Sequence, residues 1–106
     1  MRYAPINITT SGDNVLVPGI SSRMLRVLSY VITSDTAMTI TWKSGSTPLS
    51  GAMNIPANTA IVVPFGPPSP YGIVGNLQAN YNDDLVINTS TNGNLTGHMV
   101  YLEVAV

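Results

Sequence analysis

Proline and glycine punctuate this chain so closely that no long helix fits between them. Eight prolines and nine glycines fall among 106 residues, and the runs that separate them are rich in Val, Ile and Thr. β-Branched side chains lose rotamer freedom in a helix and pack well on a pleated sheet. No window carries an apolar stripe at the helical period, whereas several alternate apolar and polar residues. The chain is therefore expected to be all-β: a β-sandwich, jelly-roll-like, of about seven to eight short antiparallel strands. A chain of this length builds one core, so residues 1–106 are read as a single domain.

The longest strand candidate spans residues 23–33. Leu25, Val27 and Val31 point to one face, and Met24, Leu28, Tyr30 and Ile32 to the other. Two apolar faces suit a central strand covered on both sides, or one whose second face meets a partner. Residues 38–43 alternate more cleanly, with Met38, Ile40 and Trp42 inward and Thr39, Thr41 and Lys43 outward. Residues 59–65 place Ile61, Val63 and Phe65 on one side, and residues 84–90 do the same with Leu85 and Ile87. The last candidate, 97–106, sets His98, Val100, Leu102, Val104 and Val106 against Met99, Tyr101, Glu103 and Ala105. It is expected to tie the C-terminus into a sheet. Shorter candidates lie at 3–9, 14–18 and 73–77.

Three connections stand out. Residues 44–51 form a polar loop suited to a hairpin with an extended tip. Asn92-Gly93 is the strongest local turn signal, because both residues tolerate the positive φ of a type I′ turn. Residues 64–72 hold Pro64, Pro67, Pro68 and Pro70, so four backbone donors are missing and no regular strand can form. That segment reads either as a rigid crossover between sheets or as a stiff contact loop anchored by Tyr71.

Charge is the scarce commodity. Arg2, Arg23, Arg26 and Lys43 face Asp13, Asp35, Asp83, Asp84 and Glu103, a net charge of −1 and only 8% of residues. About 25% is usual for a soluble domain. Neither nucleic acid nor an anionic membrane is an expected partner, since no basic footprint exists for either. A surface this poor in charge is covered by Thr, Ser and Asn or is hidden in an assembly, and an oligomer is expected. No apolar run approaches the ~18 to 20 residues of a membrane span. The opening Met1-Arg2-Tyr3-Ala4-Pro5 lacks the apolar stretch of a secretory signal. The sequons at Asn7, Asn88 and Asn94 read as products of Asn- and Thr-rich composition.

Catalytic patterns are missing from the sequence. Without cysteine there are no disulfides, thiolate metal sites or cysteine nucleophiles. The one histidine, His98, falls in register with Val100, Leu102 and Val104 and is expected to be partly buried or at an edge. No G-x-S-x-G elbow supports a Ser/His/Asp triad, and no glycine-rich phosphate loop occurs. Asn80-Tyr81-Asn82-Asp83-Asp84 offers oxygen ligands suited to Ca²⁺ but lacks the spacing and closing Glu of an EF-hand. Turn chemistry explains it more simply. The expectation is a non-enzymatic chain with no cofactor and no metal.

Whole segments carry a resemblance. Arg26-Val27-Leu28-Ser29-Tyr30-Val31 is followed by Trp42-Lys43-Ser44-Gly45-Ser46-Thr47-Pro48-Leu49-Ser50-Gly51, then by Pro64-Phe65-Gly66. The closing runs are Asp84-Leu85-Val86-Ile87-Asn88-Thr89-Ser90 and Gly97-His98-Met99-Val100-Tyr101-Leu102-Glu103-Val104. Together they resemble small virion structural proteins of tailed bacteriophages, cyanophages included, and in particular capsid decoration (cement) proteins. The resemblance implies a β-sandwich or jelly roll that sits as a homotrimer on the capsid surface of the virion, bound to the major capsid protein. Low charge agrees, because interface cores are depleted in charged residues.

Contact with the capsid or within the oligomer is then expected from a candidate N-terminal arm, residues 1–8, and from the rigid loop 67–71. The residues singled out are Met1, Arg2, Tyr3 and Pro5 in the arm, and Pro67, Pro68 and Tyr71 in the loop. Removing residues 1–5 would leave the fold intact on that expectation. Related β-domains also occur in tail fibres and baseplates. The alternative is therefore a carbohydrate-binding module of a phage fibre or baseplate, with Tyr71, Tyr81, Asn80, Asn82 and Asp83 as its sugar-contacting set.

Overall fold

Met38, Ile40 and Trp42 need a dry face, and the computed structural model places them between two antiparallel sheets. It describes residues 2–64 and 77–105. The elements are β1 (Arg2–Ile8), β2 (Gly12–Val17), β3 (Arg23–Ser34), β4 (Met38–Ser44) and β5 (Thr47–Pro48). They continue as β6 (Met53–Ile55), β7 (Thr59–Val63), β8 (Leu77–Gln78), β9 (Leu85–Thr89) and β10 (Leu95–Ala105). Sheet A runs β1-β10-β3-β7, with β8 also on β3; sheet B runs β2-β9-β4-β5, with β6 also on β4. The described strands number ten rather than seven or eight, because the short pairings of β5 and β8 add two-residue strands.

Without those two, β1-β10-β3-β7 packs on β2-β9-β4-β6, and the first four strands alternate between the sheets. This is jelly-roll connectivity, in which strands close in sequence lie across the core from one another. The cross-sheet path also changes the meaning of Asn92-Gly93. β9 and β10 belong to different sheets, so the expected type I′ turn gives way to a crossing loop in which neither residue has positive φ. By contrast, the loop after β4 is a tight hairpin, with Ser44 opposite Thr47 and Gly45 at φ 57°. Of the 59–65 candidate, residues 59–63 form β7, and Phe65 lies outside the described residues. Of the 73–77 candidate, only Leu77 lies within them, as part of β8.

The two apolar faces expected of 23–33 have a local cause. Along the β3–β10 ladder, Tyr101 pairs with Val27 and Val100 with Ser29, which leaves Leu28 as an extra residue in a β-bulge. A bulge shifts the side-chain alternation by one. Leu25 and Val27 face the core before it, and Tyr30 and Ile32 face the core after it. One strand thus serves a single inward face with both parities. β2 repeats the device, since Val15 pairs with Val86 and Val17 with Leu85 around an extra Leu16.

The inward set of β10 is Leu95, Met99 and Tyr101. His98, Val100, Leu102 and Val104 belong to the outer face, and His98 is exposed. Gly97 sits in the inward row between Ile6 and Ile32. A Cβ there would collide with the backbone carbonyl of Val31, so the close approach of β10 to β3 requires glycine.

The segment expected as an arm is a sheet strand over its described part. Residues 2–8 pair with β10 from Arg2–Tyr101 to Ile8–Leu95, and Ala4, Ile6 and Ile8 are buried. A strand whose alternate residues fill the core cannot be removed freely. Deleting residues 1–5 should therefore cost on the order of 2 kcal/mol, or roughly 8–16 °C in Tm for a domain of this size. Thermal melts followed by circular dichroism check it, and an unchanged midpoint would restore the arm.

Trp42 is fully buried, with its ring 4.9 Å from that of Tyr30 across the sandwich. Burial pushes the Tyr30 phenol up from its ordinary pKa, and the Trp42 indole pulls partly the other way. The indole N–H favours the Tyr30 oxygen electrostatically without closing a hydrogen bond of standard geometry. The Trp42 contribution is therefore mainly packing. Trp42→Ala should destabilise by about 3–5 kcal/mol in urea melts, a large share of the 5–15 kcal/mol typical of a domain.

Candidate contact surfaces

Sheet B presents a polar outer face. Asp13 of β2 pairs with Asn88 of β9, which pairs with Thr41 of β4. The Lys43 Nζ crosses β9 to reach both carboxylate oxygens of Asp13 at 3.0 Å. Asn88 Nδ2 donates to Asp13 Oδ1 at 2.7 Å. The Lys43 side chain is only 16% exposed, and Val86, opposite Lys43 on β9, is buried. The aliphatic stem thus lies over apolar surface while its ammonium finds a partner.

Sheet A is different. Its outer face carries the rows Pro5–His98–Val31–Val62 and Asn7–Thr96–Thr33–Ala60, with Tyr3 at one end beside Val100, which is buried. Tyr3 is 76% and Val62 63% exposed. Antiparallel sheets with one solvated face normally place polar residues there. This face instead presents Tyr, Pro and Val. None of the residues in these two rows is Asp, Glu, Lys or Arg.

Of the contact residues expected from the sequence, Arg2, Tyr3 and Pro5 lie together on edge strand β1. Arg2 turns to the inward side, where its Nε meets Glu103 Oε1 at 2.7 Å. Tyr3 and Pro5 are exposed on the outer side. Met1, Pro67, Pro68 and Tyr71 lie outside the described residues. Val31, Val62 and His98 are not legible in the sequence as companions of Tyr3, because only the register of sheet A brings four distant segments into one row.

The acidic run at 80–84 is a set of internal staples. Ser44 is buried, its Oγ donating to Asp83 Oδ2 and accepting from the Asn80 N–H, both at 2.8 Å. Asp84 Oδ1 accepts from the Gly19 N–H at 2.6 Å, and Asn82 Oδ1 from the Ser22 N–H at 2.8 Å. Tyr81 is part-exposed and donates to Ser22 Oγ at 3.3 Å. Among the described residues, no group of three or more His, Cys, Asp or Glu side chains is arranged to hold a metal.

At the other end, Asp35 joins two crossing loops. Its Oδ1 accepts from the Asn94 N–H and Thr36 Oγ1, and its Oδ2 from Asn94 Nδ2, at 2.8–3.0 Å. A shallow groove of about 510 Å³ runs beside it, lined by Thr33, Asn58, Thr59, Asn94 and Thr96.

Hydrogen bonds hold both exposed carboxylates below their ordinary pKa of 3.8. For Asp13 the largest cause is Asn88, followed by Lys43; for Asp35 it is Thr36, followed by Asn94. A depressed carboxylate stabilises the fold above its unfolded pKa and ceases to do so as pH falls through the folded one. Stability should therefore hold from neutrality down to about pH 4 and then decline, and the pair Asp13→Asn and Asp35→Asn should flatten that decline. Melting midpoints measured from pH 6 to pH 2 test this. No protein-family model, curated protein or solved structure matches the chain.

Proposed function

We propose that this chain is a non-enzymatic virion structural protein. It acts as a capsid decoration (cement) protein that binds the outer capsid surface as an oligomer and stabilises the shell. The observation that carries the reading is the pair of uncharged rows on the outer face of sheet A, Pro5–His98–Val31–Val62 and Asn7–Thr96–Thr33–Ala60, which give a small jelly roll a surface for contact. The scarcity of charge along the whole chain and the phage-like segments support it. Jelly rolls serve viral capsids and lectins alike, so the fold alone would not choose between them.

The mechanism is mass action. A protein that binds only the assembled shell stabilises it by RT ln(1 + [L]/Kd), about 2.7 kcal/mol at a hundredfold excess over Kd. An oligomer that spans several capsid subunits adds avidity, because its second contact forms at high effective concentration. Arg2, Tyr3 and Pro5 are the proposed contacts, with the shell or with another copy.

The test mixes purified protein with mature capsids of the phage that encodes it. Co-sedimentation, with capsids that withstand more heat than undecorated ones, is the expected result. Binding to host cell walls or tail fibres, with no binding to capsids, would replace this reading by the carbohydrate-binding module.

A further inference from the structure

We infer that the outer face of sheet A is the surface through which copies of this chain associate, with a second copy as its occupant. This rests on the oligomer in the preceding reading and assigns its contact. The core of the surface is Tyr3 and Pro5 on β1, His98 on β10, Val31 on β3 and Val62 on β7, in register across the sheet.

Charge decides in favour of a second copy. Like charges set opposite one another across an interface are penalised, so a surface that meets another copy of itself does best without them. The two rows of sheet A satisfy that condition, and Arg26, which shares the face, lies beyond them with its Nε donating to Gln78 Oε1 at 2.7 Å. Sheet B does not, since Asp13 and Lys43 stand on its outer face. A basic or acidic partner would find no complementary charge in the sheet A rows.

Area agrees. Four strands at about 4.8 Å spacing and five residues at about 3.4 Å rise make a footprint of roughly 19 by 17 Å. Side-chain relief raises this to on the order of 600 Å² of accessible surface, near the ~800 Å² per partner of a standard interface. Tyr is also among the residues enriched in interface cores. Edge pairing through β1 is the weaker route, because Pro5 has no N–H to donate.

Light scattering on the full chain at micromolar to 100 µM concentration tests the inference, with Val62→Lys, Tyr3→Glu and Val15→Lys variants alongside. Val15 is exposed on the outer face of sheet B and serves as the control. The wild type should have a mass at least twice 11.2 kDa. Val62→Lys and Tyr3→Glu should each weaken association tenfold or more, with unchanged circular dichroism, while Val15→Lys should leave it intact. Oligomers that persist in both sheet A variants would overturn this face and leave the decoration reading standing. A wild type that remains monomeric at 100 µM would also overturn it. Failure of the wild type to bind capsids, with the expected mass pattern, would remove the decoration reading and keep the face.

Discussion

The extra residue in β3 is the constraint on which the rest of the sandwich depends. With unbroken alternation from Leu25 and Val27, the next inward positions would be Ser29 and Val31, and Tyr30 would point outward. The bulge at Leu28 exchanges them. Tyr30 then meets Trp42 across the core, and Ile32 joins the inward row with Ile6, Gly97 and Ile61. The same shift sends Val31 outward, beside His98 and Val62. One inserted residue therefore sets both the inter-sheet packing and the composition of the outer face. Bulges that redirect side chains in this way are features of a fold rather than defects in it.

How much of this could be read from the sequence depended on whether a signal was local. Met38, Ile40 and Trp42 were legible because β4 keeps strict alternation over its whole length. The all-β class and sandwich architecture followed from the same kind of evidence. The face of β3 was not legible, since a bulge leaves no mark in a single strand and is defined only against its partner. His98 shows the complementary problem. Its register with Val100, Leu102 and Val104 was correct, but both faces of β10 are apolar, so periodicity could not say which looks inward. Asn92-Gly93 suggested a two-residue hairpin because the sequence cannot reveal that β9 and β10 lie in different sheets.

The residues that suggested chemistry prove to be involved in construction. In the sequence, Asn80 to Asp84 looks like an oxygen-rich ligand loop. In the fold, these residues hold Gly19, Ser22 and Ser44 in place through side-chain and backbone hydrogen bonds. A Cβ at Gly19 would strike the Asn82 carbonyl, a measure of how closely the two loops pack. Asp35 does similar work at the opposite end with Asn94 and Thr36. A chain with five carboxylates and four cations has few charges to place. Asp35, Asp83 and Asp84 hold loop ends, Asp13 and Lys43 pair on sheet B, and Arg2 pairs with Glu103 at the end of β1.

The sheet edges bear on why the proposed association is assigned to a face. An exposed edge strand offers unpaired backbone groups to any other strand, and stable β-proteins blunt such edges with proline, short strands or charge. Both sheets do so here. On one side β1 carries Pro5, and neighbouring β2 is bulged at Leu16. On the other side the edges are divided among β5, β6, β7 and β8, of two to five residues each. Among the described residues, strand addition therefore has short or interrupted templates to work with. The outer face of sheet B carries the Lys43–Asp13 ion pair, a charged contact that a second copy would set against its own. On the outer face of sheet A, the two uncharged rows remain, crossing β1, β10, β3 and β7. Among the described residues of a chain with so little charge, apolar contact through this face is the route the proposed assembly would take.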